Sequence, residues 1–344
     1  MKRSLGVVLI ALAATLPSPA HAADASFDSA AVIAKARALN EAVRLGDAAS
    51  LWAQFDDRMR KAMGGDVSKF EATLEQITAQ TGRLEECITE DVGLRGEFWI
   101  YRGICRYSKA PQPLVTQYAF SAFGKVAGFF VKPDVKLHDT QFLEYQTKAA
   151  LQLPFFGPWR VFWGGRTLEQ NYHAATRDQR FAYDLVAVRD SMDHSGSGRL
   201  NADYYAFGMP IVAPASGKVT EATDGIADNA PGQLNPKQPA GNHVMLDLGG
   251  GEYALLAHLK KGTVRVKKGL TVAAGDTLGL CGNSGNTSQP HLHFHLQNGP
   301  TLFAADGLPA AFTDYVANGK PVDRGEPVRG EIIERKRELV ERKP

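Results

Sequence analysis

The run Gln289-Pro290-His291-Leu292-His293-Phe294-His295-Leu296 places a histidine at every second position of an otherwise apolar stretch. Strand side chains alternate faces, so His291, His293 and His295 line one face while Leu292, Phe294 and Leu296 fill the other. Three imidazoles on one face of a half-buried strand are costly to bury unpaired. Neutral imidazole is also the commonest metal ligand. The pattern predicts a metal site built on a β-sheet, with zinc the preferred ion.

A catalytic zinc needs three protein ligands and an open position. His293 is one candidate. Asp184, in Phe181-Ala182-Tyr183-Asp184-Leu185-Val186, is a second. A lone carboxylate in an apolar strand is expensive unless it is paired or metal-bound. His173 stands eleven positions before it, and a turn through 176–180 would make a hairpin that sets His173 beside Asp184. His258 ends another apolar strand, Tyr253-Ala254-Leu255-Leu256-Ala257-His258-Leu259. An isolated buried histidine is more often a satisfied core residue. Together with the alternating run, however, these residues point to one site.

Positioning such residues needs a sheet, and the sequence supplies strands from residue 151 on. Short apolar segments at 159–163, 181–188, 210–213, 244–248, 253–259 and 277–281 are separated by Gly, Pro, Asn and Asp clusters. That predicts a mostly-β antiparallel domain over 151–325. Two long polar loops, 189–207 and 223–242, are expected to wall a cleft, since structureless loops of this length are usually functional or disordered. Residues 326–344 read as a charged tail, with 331–344 a solvated helix or frayed end.

The 344 residues favour two domains. Over 27–80, Val32, Ala36, Leu39 and Val43 recur at helical spacing, as do Leu51, Trp52, Phe55 and Met59. Asp66 or Ser68 would cap a third helix carrying Phe70, Leu74 and Ile77. Segments 98–107, 113–122 and 125–132 then read as strands, with a tight turn at Phe123-Gly124-Lys125. Helices followed by a curved antiparallel sheet make 27–132 an α+β domain. No catalytic constellation is visible in it. Residues 133–150 are expected to be a connector with one short helix.

Residues 1–22 read as a secretory signal. Lys2 and Arg3 form the positive start, 5–16 the apolar stretch, and Ala20-His21-Ala22 the cleavage positions. No stretch approaches the roughly 20 apolar residues of a membrane span, so the expectation is an exported protein, periplasmic by preference, with no transmembrane segment after cleavage. Loss of Lys2 and Arg3 takes the formal net charge from +2 to 0, which gives no argument for a nucleic-acid partner. Export is oxidising. Cys87 and Cys105 come opposite each other on a hairpin turning at Arg95-Gly96-Glu97, so they are expected to bridge. Cys281 is expected in the core.

At these residues the chain resembles the LytM/lysostaphin-type zinc endopeptidases, the fold also called a duplicated hybrid motif. The resemblance covers about 155–300. It runs through Gly208-Met209-Pro210-Ile211-Val212-Ala213-Pro214-Ala215-Ser216-Gly217, Gly241-Asn242-His243-Val244 and Ala257-His258-Leu259. It continues through Gly275-Asp276-Thr277-Leu278-Gly279, Gly282-Asn283-Ser284-Gly285-Asn286 and Pro290-His291-Leu292-His293-Phe294. It implies one zinc ion per chain, held by His173, Asp184 and His293, with His258 and His291 catalytic. It implies hydrolysis of peptide bonds in peptidoglycan stem peptides or cross-bridges. A catalytically silent wall-binding or hydrolase-regulating module, or an exported peptidase for proteins and peptides, are the alternatives. Two departures stand out. The family separates its first histidine and its aspartate by three residues, whereas ten intervene here, which makes His194 a rival to His173. The residue after His-Leu-His-Phe is commonly Glu in the family and is His295 here, read as supporting the site or lining the groove. His243 is expected to be structural. The 27–132 block resembles, in pattern only, the cystatin-like or nuclear-transport-factor-like cone.

Overall fold

A computed structural model describes residues 28–336. The proposed signal at 1–22 and the end of the tail at 337–344 lie outside the described residues. The chain divides into two compact units between Val135 and Lys136. No described helix is long and apolar enough to cross a membrane.

The amino-terminal unit is α+β. Its helices are α1 (Ser29–Leu45), α2 (Ala48–Gln54), α3 (Asp57–Ala62) and α4 (Val67–Thr81). Each follows an aspartate, Asp28, Asp47, Asp56 or Asp66, whose carboxylate accepts a backbone N–H of the first turn. The apolar stripe of α1 (Val32, Ala36, Leu39 and Val43) is buried as its spacing predicts. The Leu51–Met59 periodicity does not make one helix. Phe55 adopts extended backbone (φ −68°, ψ 143°) and bridges Val126 of the sheet, which splits the segment into α2 and α3.

The sheet is an antiparallel meander of β1 (Leu84–Arg95), β2 (Phe98–Tyr107), β3 (Leu114–Phe120) and β4 (Val126–Pro133), in that order. Gly96 turns the first hairpin with φ +60°. The register sets Cys87 against Cys105, and the two form a disulfide.

The carboxy-terminal unit is mostly antiparallel β. Its strands are β5 (Trp159–Trp163), β6 (Tyr183–Ala187), β7 (Pro210–Val212), β8 (Gly217–Thr223), β9 (Asn242–Asp247), β10 (Tyr253–Leu259) and β11 (Thr271–Val272). They continue as β12 (Thr277–Leu280), β13 (Leu292–Gln297), β14 (Gly307–Leu308), β15 (Phe312–Ala317), β16 (Lys320–Gly325) and β17 (Ile332–Arg335). One sheet runs β11-β8-β9-β10-β13-β6-β5-β17-β15-β16, with β14 added on β13, and β12 pairs β7 separately. β13 therefore lies between β10 and β6, near the middle. Leu292, Phe294 and Leu296 of β13 enter the main core, as do Leu185 of β6 and Leu256 of β10. The opposite face carries Asp184 of β6 and His293 and His295 of β13 beside Leu255 and Ala257 of β10.

Two expectations are corrected. Residues 133–150 hold no helix. A turn at 141–144 leads to a segment tied to Glu252, whose buried carboxylate accepts from Tyr145 Oη and from the backbone N–H groups of Lys148 and Ala149. Within 331–344, Ile332–Arg335 is not a solvated helix or frayed end: β17 pairs both β5 and β15. Burial of Ile333, fully inaccessible, holds this otherwise charged stretch in the sheet.

Candidate metal centre

The register of β13 on β6 sets His293 directly opposite Asp184. On the other side of β13, Ala257 of β10 faces His293, so the next residue, His258, emerges at the same end of the sheet. Three neighbouring strands thus converge on one point. His293 Nδ1 lies 2.9 Å from Asp184 Oδ1.

His173 arrives by another route. It sits in a short 3₁₀ turn, Tyr172–Ala175, and not on a hairpin strand. Buried Asn171 fixes that turn. Its Oδ1 accepts from His173 N, and its amide donates to Gly165 O and Ala182 O. The result puts His173 Nε2 3.0 Å from Asp184 Oδ2. One nitrogen or oxygen from each of His173, Asp184 and His293 lies within 4.8 Å of the others, and all three residues are buried. His194, the rival, is not in this group. Its Nδ1 pairs with Asp193 Oδ1 at 2.7 Å and its ring packs on Tyr204.

His258 and His291 flank the group, with ring centroids 4.8 Å apart. His258 Nδ1 donates to Ser284 O at 2.8 Å. His291 Nδ1 donates to Gln289 O at 2.9 Å, and its Nε2 lies 3.4 Å from Asp184 Oδ1. A neutral imidazole that donates through Nδ1 keeps its lone pair on Nε2, so both rings hold a fixed tautomer.

The backbone of His258 has φ +64°, a left-handed conformation that is uncommon for a residue with a Cβ. It is pinned there by His258 N donating to Ala240 O and Gly282 N donating to His258 O. The acceptor Ser284 O depends on two glycines of positive φ. A Cβ on Gly241 would meet Ser284 O at 2.1 Å, and one on Gly285 would meet Gly241 N at 2.5 Å. Only glycine lets these two loops approach closely enough to present that carbonyl.

The electrostatics follow from burial and neighbours. Burial opposes the charge on Asp184, but the imidazoles of His173 and His291 outweigh it and hold the carboxyl well below its usual range. Burial pushes His258 well below an ordinary histidine, with His291 and His293 adding to the effect. Burial likewise lowers His293 and takes His295, beside His293, down to about 3. His291 goes the other way: burial lowers it, yet the Asp184 carboxylate raises it overall.

These histidines open onto a cleft also lined by Tyr172, Gln179, Pro239, Ala240, Asn286 and Phe303. The 223–242 loop supplies Pro239 and Ala240, as expected of a wall, whereas none of the cleft-lining residues comes from 189–207. The 189–207 loop braces the structure instead, through Asn201, which accepts from Asn283 and donates to Asn229 O. His243 is held by Glu221 and Gly241 O, away from the metal group. Tyr172 and Phe303 were not singled out from sequence. Tyr172 packs at a tilt against His173 with centroids 4.0 Å apart, and its place next to that histidine was the available signal. Phe303 reaches the cleft from a loop and left none.

The donor set fits zinc. Two imidazoles and one carboxylate, all buried, make the three-ligand count of a catalytic site that keeps a position open. A carboxylate in an apolar strand between imidazoles is otherwise an expensive arrangement.

Residues 201–307 match Peptidase family M23. That stretch contains His258, His291 and His293 and begins after His173 and Asp184. Over 91 residues, 26% of this chain and 19% of the relative, the sequence is 36% identical to Peptidoglycan DD-endopeptidase ShyA of Vibrio cholerae. Over 87 residues, 25% of this chain and 16% of the relative, it is 38% identical to an uncharacterized metalloprotease of Haemophilus influenzae. The match thus spans less than a fifth of the length of either relative. Among solved structures, the catalytic domain of lysostaphin from Staphylococcus simulans is similar at 23% identity, over 43% of this chain and 86% of that one, with a TM-score of 0.26. The deep-sea M23 metalloprotease pseudoalterin is similar at 15% identity, over 53% of this chain and all of that one, with a TM-score of 0.31.

Proposed function

From the premise that the carboxy-terminal unit carries a Peptidase family M23 domain, we propose that this chain is an exported, zinc-dependent endopeptidase that hydrolyses peptide cross-links of peptidoglycan. The observation that carries the reading is the convergence of His173, Asp184 and His293 on one buried point, with His258 and His291 beside it in an open cleft. The similarity to a peptidoglycan DD-endopeptidase supports the substrate class. The disulfide of Cys87 with Cys105 and the signal-like 1–22 support export to an oxidising compartment.

His173, Asp184 and His293 would hold the ion. When bound, zinc supplies Lewis acidity that polarises a peptide carbonyl and eases deprotonation of water. The remaining chemistry belongs to the chain. His258, kept neutral by burial and oriented by Ser284 O, has Nε2 free to take the proton of the attacking water. His291, whose Nδ1 is held by Gln289 O, has its proton affinity raised by Asp184; once protonated on Nε2 it would donate towards the oxyanion that develops on the scissile carbonyl. Pro239, Ala240 and Phe303 line the approach, which suits an extended peptide.

The test is mass spectrometry of peptidoglycan digested with the protein, with and without a zinc chelator. Conversion of cross-linked dimers to monomers that the chelator abolishes supports the reading and identifies the bond. Intact dimers in the presence of zinc-loaded protein would refute it.

A further inference from the structure

The face of β13 that carries His293 continues with His295 and Gln297, each two residues further along the strand and therefore on the same side. Both are buried, at 2% and 0% exposure, and neither belongs to the three-residue metal group. Their hydrogen bonds run in one direction. Gln297 Nε2 donates to Gly299 O and Thr301 O. Two carbonyls thereby fix the amide, and its Oε1 turns back along the strand. There it accepts from His295 Nε2 at 2.9 Å. A neutral ring that donates through Nε2 must accept through Nδ1. Nδ1 of His295 lies 3.0 Å from Nε2 of His293. His293 therefore donates through Nε2 and carries its lone pair on Nδ1, the atom facing Asp184.

We propose that His295 and Gln297 are positioning residues, a buried relay that fixes the ring orientation and tautomer of His293 and so makes it a donor to the metal through Nδ1. The inference rests on the reading of His293 as a ligand. It explains why a second histidine follows at this spacing: its two nitrogens pass hydrogen-bond direction from a backbone-anchored amide to the ligand ring. Groups that orient ligating histidines typically change metal affinity about 10–100-fold when removed.

The test measures zinc affinity of the full chain by competition with a chromophoric chelator, alongside thermal unfolding of the zinc-free protein. His295→Leu removes the acceptor, and zinc should bind about 10–100-fold more weakly. His295→Asn sets Oδ1 where Nδ1 stood, accepts from His293 again, and should recover most of that loss. Gln297→Leu should fall between Leu and Asn at position 295. Unchanged affinity in His295→Leu overturns the relay. So does equal weakening by Leu and Asn when the zinc-free variants melt alike. A wild-type chain that binds no zinc at all overturns the ligand reading and the relay with it, whereas a zinc-binding wild type with an unaffected Leu variant overturns the relay alone.

Discussion

Asn40 in the amino-terminal unit and His293 in the carboxy-terminal unit are both buried polar side chains, at 7% and 5% exposure. Asn40 Nδ2 donates to Tyr101 Oη at 3.1 Å, and Tyr118 Oη donates to Asn40 Oδ1 at 3.0 Å. Tyr101 Oη passes on to Glu90, which is paired to Arg37. Every hydrogen bond in that chain ends on another protein group, and it closes on itself between helix and sheet. Around Asp184 the rings of His258, His291 and His293 each have one nitrogen tied outward, to Ser284 O, Gln289 O and His295 respectively. The other nitrogen is turned towards Asp184 or the cleft. A buried network whose bonds all close specifies a fold. One that leaves a convergent set of lone pairs specifies a ligand.

The largest blow to this contrast is at the convergence point. His293→Ala should abolish both zinc binding and turnover while the amino-terminal unit keeps its structure, as read by metal analysis and digestion of cross-linked muropeptides. Full zinc occupancy in that variant would remove His293 from the ligand set. Next come the flanking rings. His258→Ala and His291→Ala should retain zinc yet lose about 10²–10⁴-fold in turnover, the range expected for a general acid or base.

Acid provides a third, smaller lever. His295 sits at about 3 in the fold against roughly 6.5 in an unfolded chain. Below about pH 6.5 the unfolded chain therefore binds a proton that the folded chain refuses, and stability falls as pH falls. His258 and His293 are shifted in the same direction, and His291 alone opposes them. Zinc-free protein should melt at a lower temperature at pH 5 than at pH 7.5. A flat or rising midpoint on acidification would show that the cluster is not held neutral.

On the closed side of the comparison, Asn40→Ala leaves Tyr101 and Tyr118 short of a partner and should cost about 1–3 kcal/mol of stability in chemical denaturation, with zinc affinity unchanged. The smallest effect is expected at His194. His194→Ala should leave zinc stoichiometry as it was, and loss of the metal there would return His194 to the ligand set.

The centre of the site was legible in sequence because it is written in strand periodicity. Asp184, His258 and His293 sit on short apolar runs whose alternation is local, and the sheet had only to bring those runs side by side. His173 was harder. Its position depends on Asn171 bonding across to Gly165 and Ala182, a tertiary arrangement that no spacing between His173 and Asp184 reveals. The closing strand β17 was missed because Ile332 and Ile333 are a short apolar pair amid charges. Their burial comes from pairing with β5, whose residues lie far away in sequence. The break at Phe55 has the same origin, since helical spacing cannot register a backbone bridge to Val126.

The left-handed backbone of His258 has a consequence for evolution and engineering. A residue with a Cβ in that region carries roughly 1–3 kcal/mol of strain, which glycine would relieve. Selection for thermostability alone would therefore drift this position towards glycine and erase the imidazole. If His258 acts as proposed, the chain gives up stability there for activity, and consensus stabilisation of this protein should leave position 258 untouched and look for its gains elsewhere.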